Sequence, residues 1–195
     1  MNSKQNAIPI YSFIVRSGSP RDIPMFERTI FLGGNANEGF RLWGNVDGEE
    51  NVNDLSEILL EDALSSDAPG DLEASEHVAD GFSHALARSL ARHVSEQTPT
   101  LSKKERAKLT LDCLMHSLDA NYTEANTSGN HQYNFSQNPI REAAKRTGID
   151  EIALAEHALH TLLQETILAI DPSLQLTTPN DGHGQISYAL SEKSS

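Results

Sequence analysis

The sequence predicts an α+β fold: an N-terminal three-stranded antiparallel sheet, then a bundle of about five helices, then a short C-terminal strand. Two patterns predict it. In the first third, apolar and polar residues alternate along runs rich in β-branched and aromatic side chains, the period of a half-buried strand. Beyond it, apolar residues recur at three- and four-residue spacing, the period of a helix with one buried face. The chain divides into an antiparallel β meander over 7–50, a helical region over 53–171 and a mostly flexible tail over 172–195, within one compact domain.

The elements follow in order. "PIYSFIVR" at 9–16 opens the sheet, and "GSPRDIP" breaks it. "MFERTIFL" at 25–32 alternates Phe26, Arg28 and Ile30 with Met25, Glu27 and Thr29. "GGNANEG" has the composition of a hairpin loop, and "FRLWGNV" at 40–46 resumes the alternation. So small a sheet must bury one face, and the following helices supply the cover. Asn53 or Asp54 caps a helix over "LSEILLEDALSS", which "DAPGD" ends. Val78, Phe82, Ala85, Leu86 and Leu90 give a helix over 72–96 its apolar stripe. Pro99 and a capping box of Ser102 with Glu105 open the next helix, which runs to Asp119. "NYTEANTSGNHQYNFSQN" at 121–138 has no helical period and reads as a long polar loop. After Pro139 come two helices around Thr147-Gly148-Ile149, stopped by Asp171-Pro172. Within the tail, 185–190 is a strand that would join the edge of the sheet.

Composition bounds the function. Hydrophobic residues make up 37% of the 195 and charged ones 22%, enough for a core but not for a core plus long ordered loops. The first nine residues are polar, which argues against a secretory leader, and no run approaches the ~20 apolar residues that cross a bilayer. Cys113 is the single cysteine, so no internal disulfide can form and a reducing, cytoplasmic setting fits. It lies among Leu111, Leu114 and Met115, the surroundings of an inert, buried thiol.

Charge is unevenly spread. Residues 38–80 hold thirteen acids against Arg41 alone, whereas 101–149 hold seven bases and five acids. The acidic run repels phosphates and attracts basic surfaces, beside its plain effect on solubility.

The segment "IREAAKRTGIDEIALAEHALHTLL" at 140–163 has the rhythm of a helix-turn-helix, with Ala144 at the close helix contact and Gly148 at the turn. Arg141, Lys145 and Arg146 would serve as its DNA-binding residues, with 103–108 as a phosphate clamp on a homodimer. The second helix argues the other way. It begins Asp150-Glu151, adds Glu156, and has no Lys or Arg up to Asp171. Its apolar positions Leu159, Leu162, Leu163, Ile167 and Ile170 mark a core helix. Nucleic acid is therefore disfavoured as a partner.

Four of the eight histidines share helical spacing with acids. Glu73, His77, Asp80 and His84 form one stripe, nearly opposite the apolar face of their helix and so turned to solvent. Asp112 with His116, and Glu156 with His160, repeat the pattern. Neutral imidazole beside carboxylate is how helical bundles hold zinc or iron. Asp112, His116, Glu156 and His160 are the metal candidates, with Glu156 and His160 expected to be partly buried at the edge of their apolar stripe. No metalloprotease motif, phosphate loop or nucleophile elbow is present, and no cofactor is implied.

The sequence thus favours a non-enzymatic acidic cytoplasmic protein that acts through a protein partner with a basic surface, in regulation or assembly. Glu49, Glu50, Asp54 and Glu57 supply charge for that contact, and Leu55, Ile58 and Leu59 supply apolar area. A helix-turn-helix regulator over 140–163 is the alternative, and a metal-binding helical protein the second.

Overall fold

The structure, a computed structural model, describes residues 8–16, 25–35, 39–46, 49–51, 72–127, 130–147, 152–178 and 186–193. An N-terminal meander is present, with a fourth strand that alternation did not reveal. Strands β1 (Ile8–Arg16), β2 (Met25–Asn35), β3 (Gly39–Val46) and β4 (Glu49–Asn51) pair antiparallel in chain order. β2 and β3 pair out to Asn35 opposite Gly39, so Gly33 and Gly34 belong to the strand and the link shrinks to 36–38. Gly34 has φ 89, a conformation that a side chain would strain. The β1–β2 register shifts between Pro9 and Tyr11, where a residue without an N–H is tolerated.

Helix α1 (Leu72–Gln97) and helix α2 (Lys103–Ser117) follow. Ser102 accepts from Glu105 N and Glu105 returns to Ser102 N at 2.9 Å, completing the expected capping box. The other end of α2 turns on Asp119, at φ 50, with Ala120 N bonded to Met115 O at 3.0 Å and Asp119 N to His116 O at 3.2 Å. This pair of bonds closes a Schellman turn, with Asp119 in the place glycine usually takes.

Two expectations are overturned beyond that turn. The fold is not a three-stranded sheet followed by a bundle of about five helices; it holds two four-stranded antiparallel sheets and, among the described residues, four helices. The supposed loop at 121–138 is a hairpin of β5 (Tyr122–Thr127) and β6 (Asn130–Phe135), in which Thr127 pairs with Asn130 across a two-residue link. The tail supplies β7 (Leu174–Thr177) and β8 (Ile186–Glu192). The second sheet has the order β5-β6-β8-β7, so the strand expected at the edge of the first sheet lies inside another one. The physical reason is one-sidedness. Tyr133 and Phe135 point into the core while Gln132 and Asn134 stay half-exposed, so a strand with one wet face carries a largely polar sequence. The helix expected over 55–66 falls outside the described residues.

Helix α3 (Pro139–Thr147) and helix α4 (Ile152–Ile170) lie between the halves of the second sheet. Asn138 caps α3 by accepting from Ile140 N at 2.9 Å and Arg141 N at 3.1 Å. Its Nδ2 donates to Ala155 O at 3.2 Å, tying the cap to α4. Leu154, Leu159, Leu162, Leu163 and Ile167 of α4 have no solvent exposure. They join Phe82, Leu86 and Leu90 of α1, Leu111 and Leu114 of α2, and Tyr133, Phe135 and Leu190 of the second sheet in one core.

The first sheet enters the same core through Leu32, Phe40 and Leu42. β4 pairs only with Gly44 to Val46 of β3, which leaves the Leu42 N–H beyond its end. Ser117 Oγ, at the last residue of α2, accepts that N–H at 2.9 Å, a buried bond. Phe40 also meets the His93 ring of α1 edge-on, centroids 5.9 Å apart.

Two measurements test this packing. Ser83 is fully buried and its Oγ has no hydrogen-bond partner. Ser83→Ala removes that cost and improves helix propensity, so chemical unfolding should show a gain of about 1 kcal/mol; a loss would mean the hydroxyl is satisfied. The second concerns His93, whose pKa burial lowers below 6.5 against an opposing charge from Glu96. With the folded value depressed, the unfolded chain holds the proton more tightly. This contribution is therefore full above the unfolded value and is lost as pH falls through the folded one. Between about pH 7.5 and about pH 5.5 the wild type should lose more stability than His93→Gln, and equal losses would clear the junction.

Candidate functional site

The sequence-derived residues scatter into three places. On α2, Asp112 belongs to a cluster with β5 and β6. Lys108 Nζ lies 2.6 Å from Asp112 Oδ2 and 3.0 Å from Glu124 Oε2, and Tyr133 Oη donates to Asp112 Oδ1 at 3.3 Å. Burial raises the Asp112 pKa against the pull of Lys108. Burial also works against the Lys108 ammonium, but its hydrogen bonds and charge attraction to Asp112 and Glu124 outweigh that and raise its pKa. An ammonium thus stands between the two carboxylates where a metal cation would have to sit. His116, one turn along, is exposed. Burial pushes the Cys113 thiol far up, as its apolar neighbours imply.

On α4, Glu156 and His160 are exposed rather than partly buried. His160 stacks on Tyr188 of β8, centroids 6.0 Å apart. Burial, then the charge of Glu156, drives the Tyr188 hydroxyl up to about 12. The apolar stripe of α4 is broader than two turns of spacing implied, which leaves these two residues on a narrow outer strip. Among the described residues no group of three or more His, Cys, Asp or Glu is arranged to hold a metal.

The helix-turn-helix residues fall on α3 and α4. Among the residues of described burial in the first half of α4, Ala153, Glu156 and His160 face outward, a strip with one acid and no Lys or Arg. Arg141 is half-buried, and Lys145 is held by Glu142 at 2.6 Å. The Arg146 side chain and the turn at 148–151 lie outside the described residues. So do Asp54, Leu55, Glu57, Ile58 and Leu59, whereas Glu49 and Glu50 are placed as backbone in β4.

The third place is the seam between α1 and α4, and sequence reasoning found only half of it. Asp80 and His84, from the α1 stripe expected to face solvent, reach across to α4. Asp80 Oδ1 meets His157 Nε2 at 2.7 Å, and His84 Nδ1 meets Glu165 Oε2 at 2.7 Å. Acid and imidazole are exchanged between the helices, so each pair is a cross-link at the rim of the core. His157 and Glu165 lie eight residues apart on α4, a spacing that a search for i, i+4 pairs within one helix passes over. Beyond His84 the seam opens into a groove of about 780 Å³, walled by Arg88, Ser89 and Arg92 on α1 and by Leu168 on α4.

No helix among the described residues is long and apolar enough to cross a membrane. No protein-family model matches the chain, and no curated protein sequence matches it.

Proposed function

We propose that the protein acts without catalysis, through a protein partner whose basic surface docks on the acidic run at 38–80, in regulation or assembly. One observation carries the reading: where the charge is. The thirteen acids and one base of that run give −12 of the chain's −13, so the remainder is nearly neutral. Outside that run, several carboxylates of the described residues are met internally: Asp112 and Glu124 meet Lys108, Glu142 meets Lys145, Glu192 meets Lys103, and Glu165 meets His84. Glu49, Glu50, Asp54 and Glu57 are the charges of the proposed contact, with Leu55, Ile58 and Leu59 as its apolar part. Such a field raises the encounter rate with a basic surface over roughly one Debye length, ~8 Å at physiological salt.

The reading predicts a salt-dependent interaction. Reversal of Glu49, Glu50, Asp54 and Glu57 to lysine together should weaken partner capture at least about tenfold near ~0.05 M salt, with a smaller effect near ~0.5 M. Capture that is unchanged at low salt would leave the acidic run as a solubilising feature alone.

A further inference from the structure

The groove beside His84 has a chemistry unlike the rest of this acidic chain. His84, Arg88 and Arg92 stand at i, i+4 and i+8 on α1, which the ~100° helical step aligns into one stripe. Lys103, Lys108 and Lys145 each meet an acid, whereas these two arginines do not. Among the described residues, no carboxylate lies within ion-pair distance of Arg88, and Arg92 contacts no acid. Glu96, one turn past Arg92, makes no ion pair with it among those residues.

Among the described residues, Glu165 is the one acid in the groove lining, and it is already engaged. Arg88 Nη1 lies 3.3 Å from His84 Nε2, and His84 Nδ1 lies 2.7 Å from Glu165 Oε2. Guanidinium only donates, so His84 Nε2 must accept and carry no proton; the proton sits on Nδ1 and is donated to Glu165. The imidazole thereby occupies the carboxylate and fixes Arg88 without neutralising it. Both guanidinium forks are left with open donors, one helical turn apart.

We infer that this groove binds a small organic phosphate, with the phosphate clamped between Arg88 and Arg92, Ser89 beside it, and the organic body over Leu168. A phosphate presents three oxygens and can bridge two forks at once, whereas a single carboxylate saturates one. The cavity of about 780 Å³ falls in the range of small-molecule sites, roughly 300–1,000 Å³. A net charge of −13 opposes a polyanion such as a nucleic acid over its whole length, but opposes a compact ligand of one or two charges far less. The groove residues lie outside 38–80 in the sequence, so the inference does not rest on the proposed acidic contact.

The test uses the full chain and phenyl phosphate as the probe, with benzoate as comparator, read by NMR from the arginine Nε–H signals. Phenyl phosphate should shift Arg88 and Arg92 saturably with Kd below about 1 mM, and benzoate should bind at least about tenfold more weakly. Arg88→Gln with Arg92→Gln should weaken phenyl phosphate at least about tenfold, at unchanged Tm because both side chains are exposed. Arg88→Lys with Arg92→Lys keeps the charge but loses the forks, and should weaken it by about threefold to tenfold. The inference is overturned by the absence of a saturable shift up to about 10 mM, by equal binding of benzoate, or by binding that survives the glutamine pair. It is equally overturned if a short oligonucleotide binds more tightly than phenyl phosphate, which would assign the stripe to a polyanion.

Discussion

Helix α4 cannot be left in water on any broad side, and the rest of the fold is arranged around that constraint. Over its 19 residues, Leu154, Ala155, Ala158, Leu159, Leu162, Leu163 and Ile167 all reach zero exposure. No single neighbour can cover so wide an apolar surface. α1 covers it with Phe82, Leu86, Leu90 and Val94, and the second sheet brings Leu174 and Leu176 from β7 with Tyr188 and Leu190 from β8. α3 is tied on by the Asn138 amide. Each covering element buries its own apolar stripe in the process, which is how one hydrophobic helix organises segments from opposite ends of the chain.

Burial of α4 also sets where polar chemistry can occur. A helix that is covered on its inner faces keeps functional groups only along its rims. One rim holds Glu156 and His160 against Tyr188. The other meets α1, where Asp80 pairs with His157 and His84 with Glu165. At the far end of that seam the arginines of α1 stand beside a groove. Ile140 and Ala143 of α3 and Leu154 of α4 are buried together, so the inner faces of these two helices serve packing.

Much of this was legible locally. Ser102 and Glu105 announced the start of α2, Asp171-Pro172 the end of α4, and the apolar neighbours of Cys113 its burial, because each signal is confined to a few residues. The strands of the second sheet were not. Tyr133 and Phe135 do alternate with polar residues, but a two-point alternation in "QYNF" cannot be told from chance in a polar stretch. The insertion of β8 between β6 and β7 depends on contacts across more than fifty residues, and no local pattern encodes it. Half of the α1–α4 seam escaped for the same reason. Asp80 and His84 were visible as a stripe, yet their partners are chosen by the way two distant helices pack.

Native-state hydrogen exchange tests the central claim, that α4 is the buried pillar of a single cooperative core. The amides of Leu159, Leu162 and Leu163 should exchange only through global unfolding, with the same free energy as those of Leu86 and Leu114 and the same response to denaturant. Exchange of the α4 amides at a free energy well below that of α1 and α2 would show that the helix opens on its own, and would contradict the account.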